Sequence, residues 1–298
     1  MTSATTPLLR ASNLVKEFPG SGPRGVFGKP EPFRAVDDVS LELLEGETLA
    51  LVGESGSGKS TTARLVARLM ETTSGSIEFD GRDVSRITGS DLHDFRSEVQ
   101  VIFQDPYSSL NPKHTVERLV TAPLVYQRVK IPGGARAFTK DLLERVGLNP
   151  DHSDRFPWQF SGGQAQRIGI ARALAVQPRL VIADEAVSAL DVSVQAQVIN
   201  LLKQLQREEG FSYLFIAHDL AVVRQIADRV AVMQSGRIVE TGARDAVFGK
   251  PEHEYTKHLL AAVPRIKAEW DAKRRENQQR RRQEAILAER EADRKAKD

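Results

Sequence analysis

Residues 53–60 read GESGSGKS, preceded by TLALVG and followed by a helical pattern running from Lys59 to about Met70. The segment fits Gly-x-x-x-x-Gly-Lys-[Ser/Thr] in the context that gives it meaning: an apolar strand, a glycine-rich turn and a helix N-terminus. Gly53, Gly56 and Gly58 let the backbone bend tightly and turn successive N–H groups toward one point, an anion nest. The helix start adds the positive end of its dipole. Lys59 places a compact cation for the β- and γ-phosphates of a nucleotide, and Ser60 offers a hydroxyl to Mg²⁺. Ser55 and Thr61 complete the set expected to contact phosphate. A chance match arises in roughly one of 100 chains this long, and the strand and helix flanks lower that further.

The surrounding pattern requires an α/β fold. Residues 8–18 and 35–44 alternate as strands, and the Gly- and Pro-rich residues 19–32 read as a long turn or insert. Strand patterns recur at 74–84, with a turn at Asp80-Gly81, and at 99–105, 179–184 and 211–218. Helical patterns fall at 91–97, 138–146 (stopped by Gly147), 161–176, 191–209 and 219–228, and residues 229–242 read as a hairpin turning at Ser235-Gly236. Between 106 and 160 the β-pattern stops, and short helices are expected to break at Pro112, Pro123, Pro132 and Gly133-Gly134. Strands alternating with helices imply a largely parallel central sheet.

LVIADE (180–185) is a buried-type strand ending in two carboxylates. Beside a phosphate loop, Asp184 is placed to hold Mg²⁺. Glu185, one residue on, is placed to orient or deprotonate an attacking water. Of the six histidines, His218 alone follows a buried strand and precedes a helix; His93, His114, His152, His253 and His258 are expected on solvated segments. No metal-ligand cluster is visible among them.

FSGGQAQRIGIARAL (160–174) resembles the signature segment of ATP-binding cassette (ABC) ATPases. The motif order resembles the whole ABC set over about residues 8–242: GESGSGKS, Gln104, SGGQ, Asp184-Glu185, SALD (188–191) and His218. The resemblance implies a phosphate-loop NTPase of ABC type, with a mixed central sheet, an antiparallel β subdomain and an inserted α-helical subdomain. It implies ATP and Mg²⁺ as ligands and ATP hydrolysis as the reaction. By position, Gln104 corresponds to the glutamine that senses Mg²⁺ and water. Ser161, Gly163 and Gln164 correspond to residues touching the γ-phosphate bound by the opposite subunit. By the same resemblance, Asp191 would lie in the loop linking the two sites, and His218 would contact the γ-phosphate and help position water. Phe18 corresponds to the aromatic that stacks on adenine; the alternative is a strand-end core residue. Ala165 and Ala186 depart from the family pattern, where a basic or polar residue and a proline are usual, but neither position supplies a catalytic group.

FQDPYSSLNPKHTV (103–116), ADEAVSALDVSVQAQVINLL (183–202) and EYTKHLLAAVP (254–264) resemble the oligopeptide/dipeptide importer ATPases. That narrower likeness implies a nucleotide-binding domain over 1–264, a helical subdomain over 106–160 and a C-terminal extension over 243–264. It implies two transmembrane permease subunits, a second related ATPase subunit (or a second copy of this chain) and, indirectly, an extracytoplasmic solute-binding protein. The place of work is then the cytoplasmic face of the cell membrane. Nickel, glutathione or opines are alternative solutes. Other classes are a soluble ABC protein acting on ribosomes or DNA and a regulatory ATP-binding module without turnover.

Composition fits this reading. Hydrophobic residues make up 40% and charged residues 28%, an ordinary globular balance, and the formal charge of +2 does not suggest a nucleic-acid partner. The absence of cysteine excludes disulfides and thiol catalysis. No run approaches about 18 apolar residues, and MTSATTPLLRAS lacks the pattern of a signal peptide. Residues 265–298 carry 12 basic and 8 acidic side chains and read as a solvated tail of helical propensity; contact of Arg280-Arg281-Arg282 with anionic lipid or RNA is the alternative.

Overall fold

The structure is a computed structural model and describes residues 6–20 and 32–262. Most of the 19–32 insert and the whole 265–298 tail lie outside the described residues.

In chain order the elements are β1 (Leu9–Phe18), β2 (Phe33–Leu43), β3 (Thr48–Val52), α1 (Lys59–Val66), β4 (Ser74–Phe79), β5 (Arg82–Asp83), α2 (Gly89–Glu98) and β6 (Val99–Ile102). Then come α3 (Pro106–Ser109), α4 (Val116–Tyr126), α5 (Ala135–Arg145), α6 (Gly162–Leu174), β7 (Leu180–Asp184), α7 (Val192–Glu209) and β8 (Ser212–Ala217). The last are α8 (Leu220–Ile226), β9 (Arg229–Gln234), β10 (Arg237–Ala243), α9 (Arg244–Gly249) and α10 (Glu254–Ala261). The chain divides into residues 1–258 and 259–298, and of the second unit only the end of α10 and one further residue are described.

The central sheet runs β10-β9-β3-β8-β7-β6, parallel except for the antiparallel β10. Every residue of β3, β7 and β8 is buried, as parallel strands covered on both faces require. The second sheet, β2-β1-β4-β5, is antiparallel. One core joins the two: Leu49, Leu51, Ile182 and Ile216 of the central sheet cluster with Leu14, Val39, Ile77 and Phe79 of the antiparallel sheet and Leu65 and Val66 of α1. Each such side chain contributes roughly 1.5–3 kcal/mol on burial. The expected mixed sheet, β subdomain and helical insert are all present.

The register fixes the functional edge. Val52 pairs with Ala217, Asp184 with Ile216, and Ile102 with Ala183. The residues after β3, β6, β7 and β8 therefore leave the sheet at one C-terminal edge, where open α/β sheets bind ligands.

Three local expectations are corrected. Pro123 does not break the chain but lies inside α4. That helix buries Val116, Leu119, Val120 and Leu124, and this apolar face outweighs the loss of one backbone hydrogen bond. Helix α1 ends at Val66 rather than near Met70, because Arg68 turns left-handed (φ 51°) and the Leu69 and Met70 N–H groups fold back onto the Arg64 carbonyl. His93, His114 and His152 are half-buried rather than solvated: the His93 ring lies tilted against Tyr126 at 5.0 Å between ring centres and His152 meets the Phe160 ring edge-on at 5.8 Å.

Candidate functional site

The phosphate loop is wrapped around its own lysine. Lys59, 4% exposed, opens α1, and its Nζ donates to the carbonyls of Gly53 (2.9 Å) and Glu54 (2.7 Å), with Ser57 Oγ at 3.4 Å. Burial pushes its ammonium below the ordinary lysine value, while Glu185, Asp184 and Glu54 pull it back up. Two glycines are obligatory by contact. A Cβ on Gly53 (φ 153°) would stand 2.1 Å from the Met233 carbonyl oxygen, and one on Gly58 (φ 106°) would stand 2.3 Å from that of Ala35. Strands β9 and β2 thus press on the loop from two sides. Gly56, Ser55 and Thr61 sit in the same turn and first helical turn, Gly56 and Ser55 exposed and Thr61 half-buried.

Ser60 Oγ donates to Asp184 Oδ1 at 2.8 Å, joining the helix start to the end of β7. Asp184 is 7% exposed. Burial holds its carboxyl above the ordinary range, against the pull of Ser60, Arg64 and Lys59. A buried carboxylate beside a serine hydroxyl is a hard oxygen donor pair, and it fits a divalent cation such as Mg²⁺.

Glu185 takes a left-handed backbone (φ 49°), its N–H donating to the Ile216 carbonyl at 3.1 Å and its own carbonyl accepting from Ser188 Oγ at 2.9 Å. The bend turns the chain out of β7 just after the buried Asp184. His218, first residue after β8 and 54% exposed, has Nδ1 3.5 Å from Glu185 Oε2. That separation is longer than a good hydrogen bond. Gln104 leaves β6 two residues after Ile102, at the same edge and exposed.

Lys59, Ser60, Asp184, Glu185 and His218 are thus brought together. Ser161, Gly163, Gln164 and Asp191 form a separate group. Ser161 and Gln164 close a reciprocal cap on α6: Gln164 N–H donates to Ser161 Oγ at 3.4 Å and Ser161 N–H to Gln164 Oε1 at 3.0 Å. Asp191 Oδ1 accepts from the N–H groups of Ser193 (3.1 Å) and Val194 (3.0 Å) at the start of α7. A Cβ on Gly163 would meet Val194 Cγ1 at 2.4 Å, so the two helix starts pack directly. Among the described residues no hydrogen bond or ion pair joins this group to the first. Phe18 is half-buried rather than a core residue; Lys16 Nζ lies 5.5 Å from its ring centre and it pairs across the strands with Phe33. Phe33 stands 61% exposed, two residues from Ala35, and the sequence reading passed over it. It also passed over Tyr255, whose hydroxyl oxygen accepts the Glu54 N–H at 3.0 Å across 201 residues of chain. No local pattern signals such a contact.

The sequence model of the family described as ABC transporter matches residues 36–188, from β2 through the phosphate loop and Glu185 to Ser188. The chain belongs to the ABC transporter family. A second model, oligopeptide/dipeptide transporter C-terminal region, matches residues 239–287 of this ABC chain. The cassette is 52% identical over 259 residues to the glutathione import ATP-binding protein GsiA of Pectobacterium atrosepticum, covering 87% of this chain and 41% of that protein. It is 53% identical over 260 residues to GsiA of Shigella boydii, with the same coverage. The chain therefore spans about two fifths of the length of these curated relatives. Among solved structures, the ATP-binding cassette MJ0796 in a dimeric post-hydrolysis state bound to ADP and Pi aligns with TM-score 0.70 and 29% identity, over 79% of this chain and 98% of that one. The cbiO1 protein of Clostridium perfringens, part of the cbiONQ ABC transporter complex, aligns with TM-score 0.69 and 26% identity, over 87% and 97%. No helix among the described residues is long and apolar enough to cross a membrane.

Proposed function

We propose that this chain is the ATP-hydrolysing subunit of an importer for small peptides, a class that includes the glutathione in its relatives' names. The observation that carries the reading is the convergence at one sheet edge of Lys59, the Ser60–Asp184 pair and the Glu185–His218 pair.

The proposed roles are those the family resemblance implies, and the geometry of the sheet edge supports them. The loop N–H groups, with Ser55, Gly56 and Thr61, cradle the phosphates of ATP, and Lys59 holds the β- and γ-phosphates. Ser60, Asp184 and Gln104 would hold Mg²⁺, which when bound would neutralise charge on the transferring phosphoryl group. Glu185 accepts a proton from the attacking water, and His218 orients that water and donates to the γ-phosphate. Phe18 stacks on adenine, with Phe33 beside it. Ser161, Gly163 and Gln164, held apart from Lys59 in one subunit, serve the ATP held by the partner's phosphate loop, and Asp191 links the two sites. Closure of the pair on two ATP molecules drives two permease subunits between inward- and outward-facing states. A second related ATPase completes the pair, and a solute-binding protein delivers cargo from the far side. The chain then works at the cytoplasmic face of the cell membrane.

The test is purification of Glu185→Gln from detergent-solubilised native membranes with ATP and Mg²⁺. Two multi-span subunits and a related ATPase are expected to co-purify. The solute-binding protein associated with them is then titrated with dipeptides, oligopeptides, glutathione and nickel. Recovery only from the soluble fraction, with ribosomal proteins or alone, contradicts the transport reading. Tight binding of nickel alone contradicts the peptide class.

A further inference from the structure

Helix α10 is clamped at its start. The Glu240 carboxylate on β10 accepts the N–H groups of Glu252 (2.9 Å) and His253 (3.0 Å) on separate oxygens, and the Tyr255 N–H donates to His253 Nδ1 at 3.2 Å. Thus held, Tyr255 meets the phosphate loop through its hydroxyl, which accepts the Glu54 N–H at 3.0 Å. The same peptide unit has a second polar end. Its carbonyl, that of Gly53, accepts Lys59 Nζ at 2.9 Å. One peptide plane therefore links the phenol of the C-terminal segment to the ammonium that faces the phosphates. Its two hydrogen bonds polarise each other in the same sense.

We propose that Tyr255 is a positioning residue for nucleotide binding: its hydroxyl fixes the Gly53–Glu54 peptide, and through it Lys59, in the arrangement that receives phosphate. The inference rests on the proposed role of this loop and gives the segment matching the oligopeptide/dipeptide C-terminal region a task at the nucleotide. The physical ground is preorganisation. Three of the six residues from Gly53 to Gly58 are glycine, and glycine loses the most conformational freedom when fixed. A tether present before the nucleotide arrives lowers the ordering cost of binding.

Tyr255→Phe keeps the ring and removes only the hydroxyl. In the full chain, binding of ADP and of a fluorescent ATP analogue is expected to weaken about 2- to 10-fold, the value of one hydrogen bond. The KM for ATP rises by the same factor while kcat stays within about two-fold. Hydrogen exchange of the peptide carrying Glu54 speeds up. Glu240→Gln, which loosens the start of α10, weakens binding in the same direction, and combining it with Tyr255→Phe adds little, because both act through one contact. A residue that merely pinned α10 would lower the unfolding midpoint and leave nucleotide affinity alone. Equal nucleotide affinity in Tyr255→Phe and the unaltered chain overturns this inference only. Failure of the unaltered chain to bind nucleotide overturns it together with the proposed function.

Discussion

Ser60 Oγ donates to Asp184 Oδ1 at 2.8 Å and so ties the phosphate loop to the end of β7, 124 residues away in sequence. Burial raises the Asp184 carboxyl above its ordinary value. The folded chain therefore holds a proton there more readily than the unfolded chain does. The stability linked to this group is full below the ordinary carboxylate pKa and is lost as pH rises through the raised folded value. Asp184→Asn is expected to raise the unfolding midpoint of the nucleotide-free chain at pH 7, with the gain shrinking toward about pH 4. The same variant loses the Mg²⁺ dependence of nucleotide affinity. Calorimetric unfolding across pH, with and without Mg²⁺-nucleotide, measures both.

His218 and Glu185 approach to 3.5 Å across adjacent strand ends. His218→Ala leaves Glu185 on its own backbone bend. The expected loss in turnover is about 10²- to 10³-fold, typical of removing one transition-state donor, with nucleotide affinity nearly unchanged. Steady-state phosphate release and equilibrium binding, measured side by side, separate the two quantities.

Lys59 satisfies itself on loop carbonyls and is buried among them. Lys59→Met keeps most of the volume and removes the charge. Nucleotide affinity is expected to fall about 10- to 100-fold, the worth of charge-assisted hydrogen bonds to phosphate. Titration calorimetry with ATP and Mg²⁺ checks the value.

The loop glycines are unequal. A Cβ on Gly56 (φ 79°) meets nothing within 4 Å, so Gly56→Ala costs about 1–2 kcal/mol from the left-handed backbone alone. Gly58→Ala adds contacts at 2.3 Å on the Ala35 carbonyl and 2.7 Å on Met233 Cε, and is expected to cost about 1–3 kcal/mol more. Urea unfolding of the nucleotide-free variants orders them.

The elements nearest the chemistry were legible in the sequence because each is local. TLALV, LVIAD and SYLFIA are apolar runs long enough for buried strands; LVIAD ends in Asp184, TLALV is followed by Gly53 and SYLFIA by His218. Their convergence follows from parallel pairing, which the alternation of strand and helix implies. Pro123 was misread because its tolerance depends on what α4 packs against, not on its neighbours in sequence. The end of α1 was misread because Arg68 takes the left-handed turn that glycine usually marks. Tyr255 was invisible as a loop contact, since its partner lies 201 residues away and its own segment reads only as a C-terminal extension resembling that of the peptide importers.

The most direct test of the account is phosphate release and ATP binding by the full chain and by Glu185→Gln, each with Mg²⁺. The unaltered chain is predicted to release phosphate, and the variant to do so about 10²- to 10⁴-fold more slowly while holding unhydrolysed ATP. Equal phosphate release by the two chains, or a variant that no longer binds ATP, contradicts it.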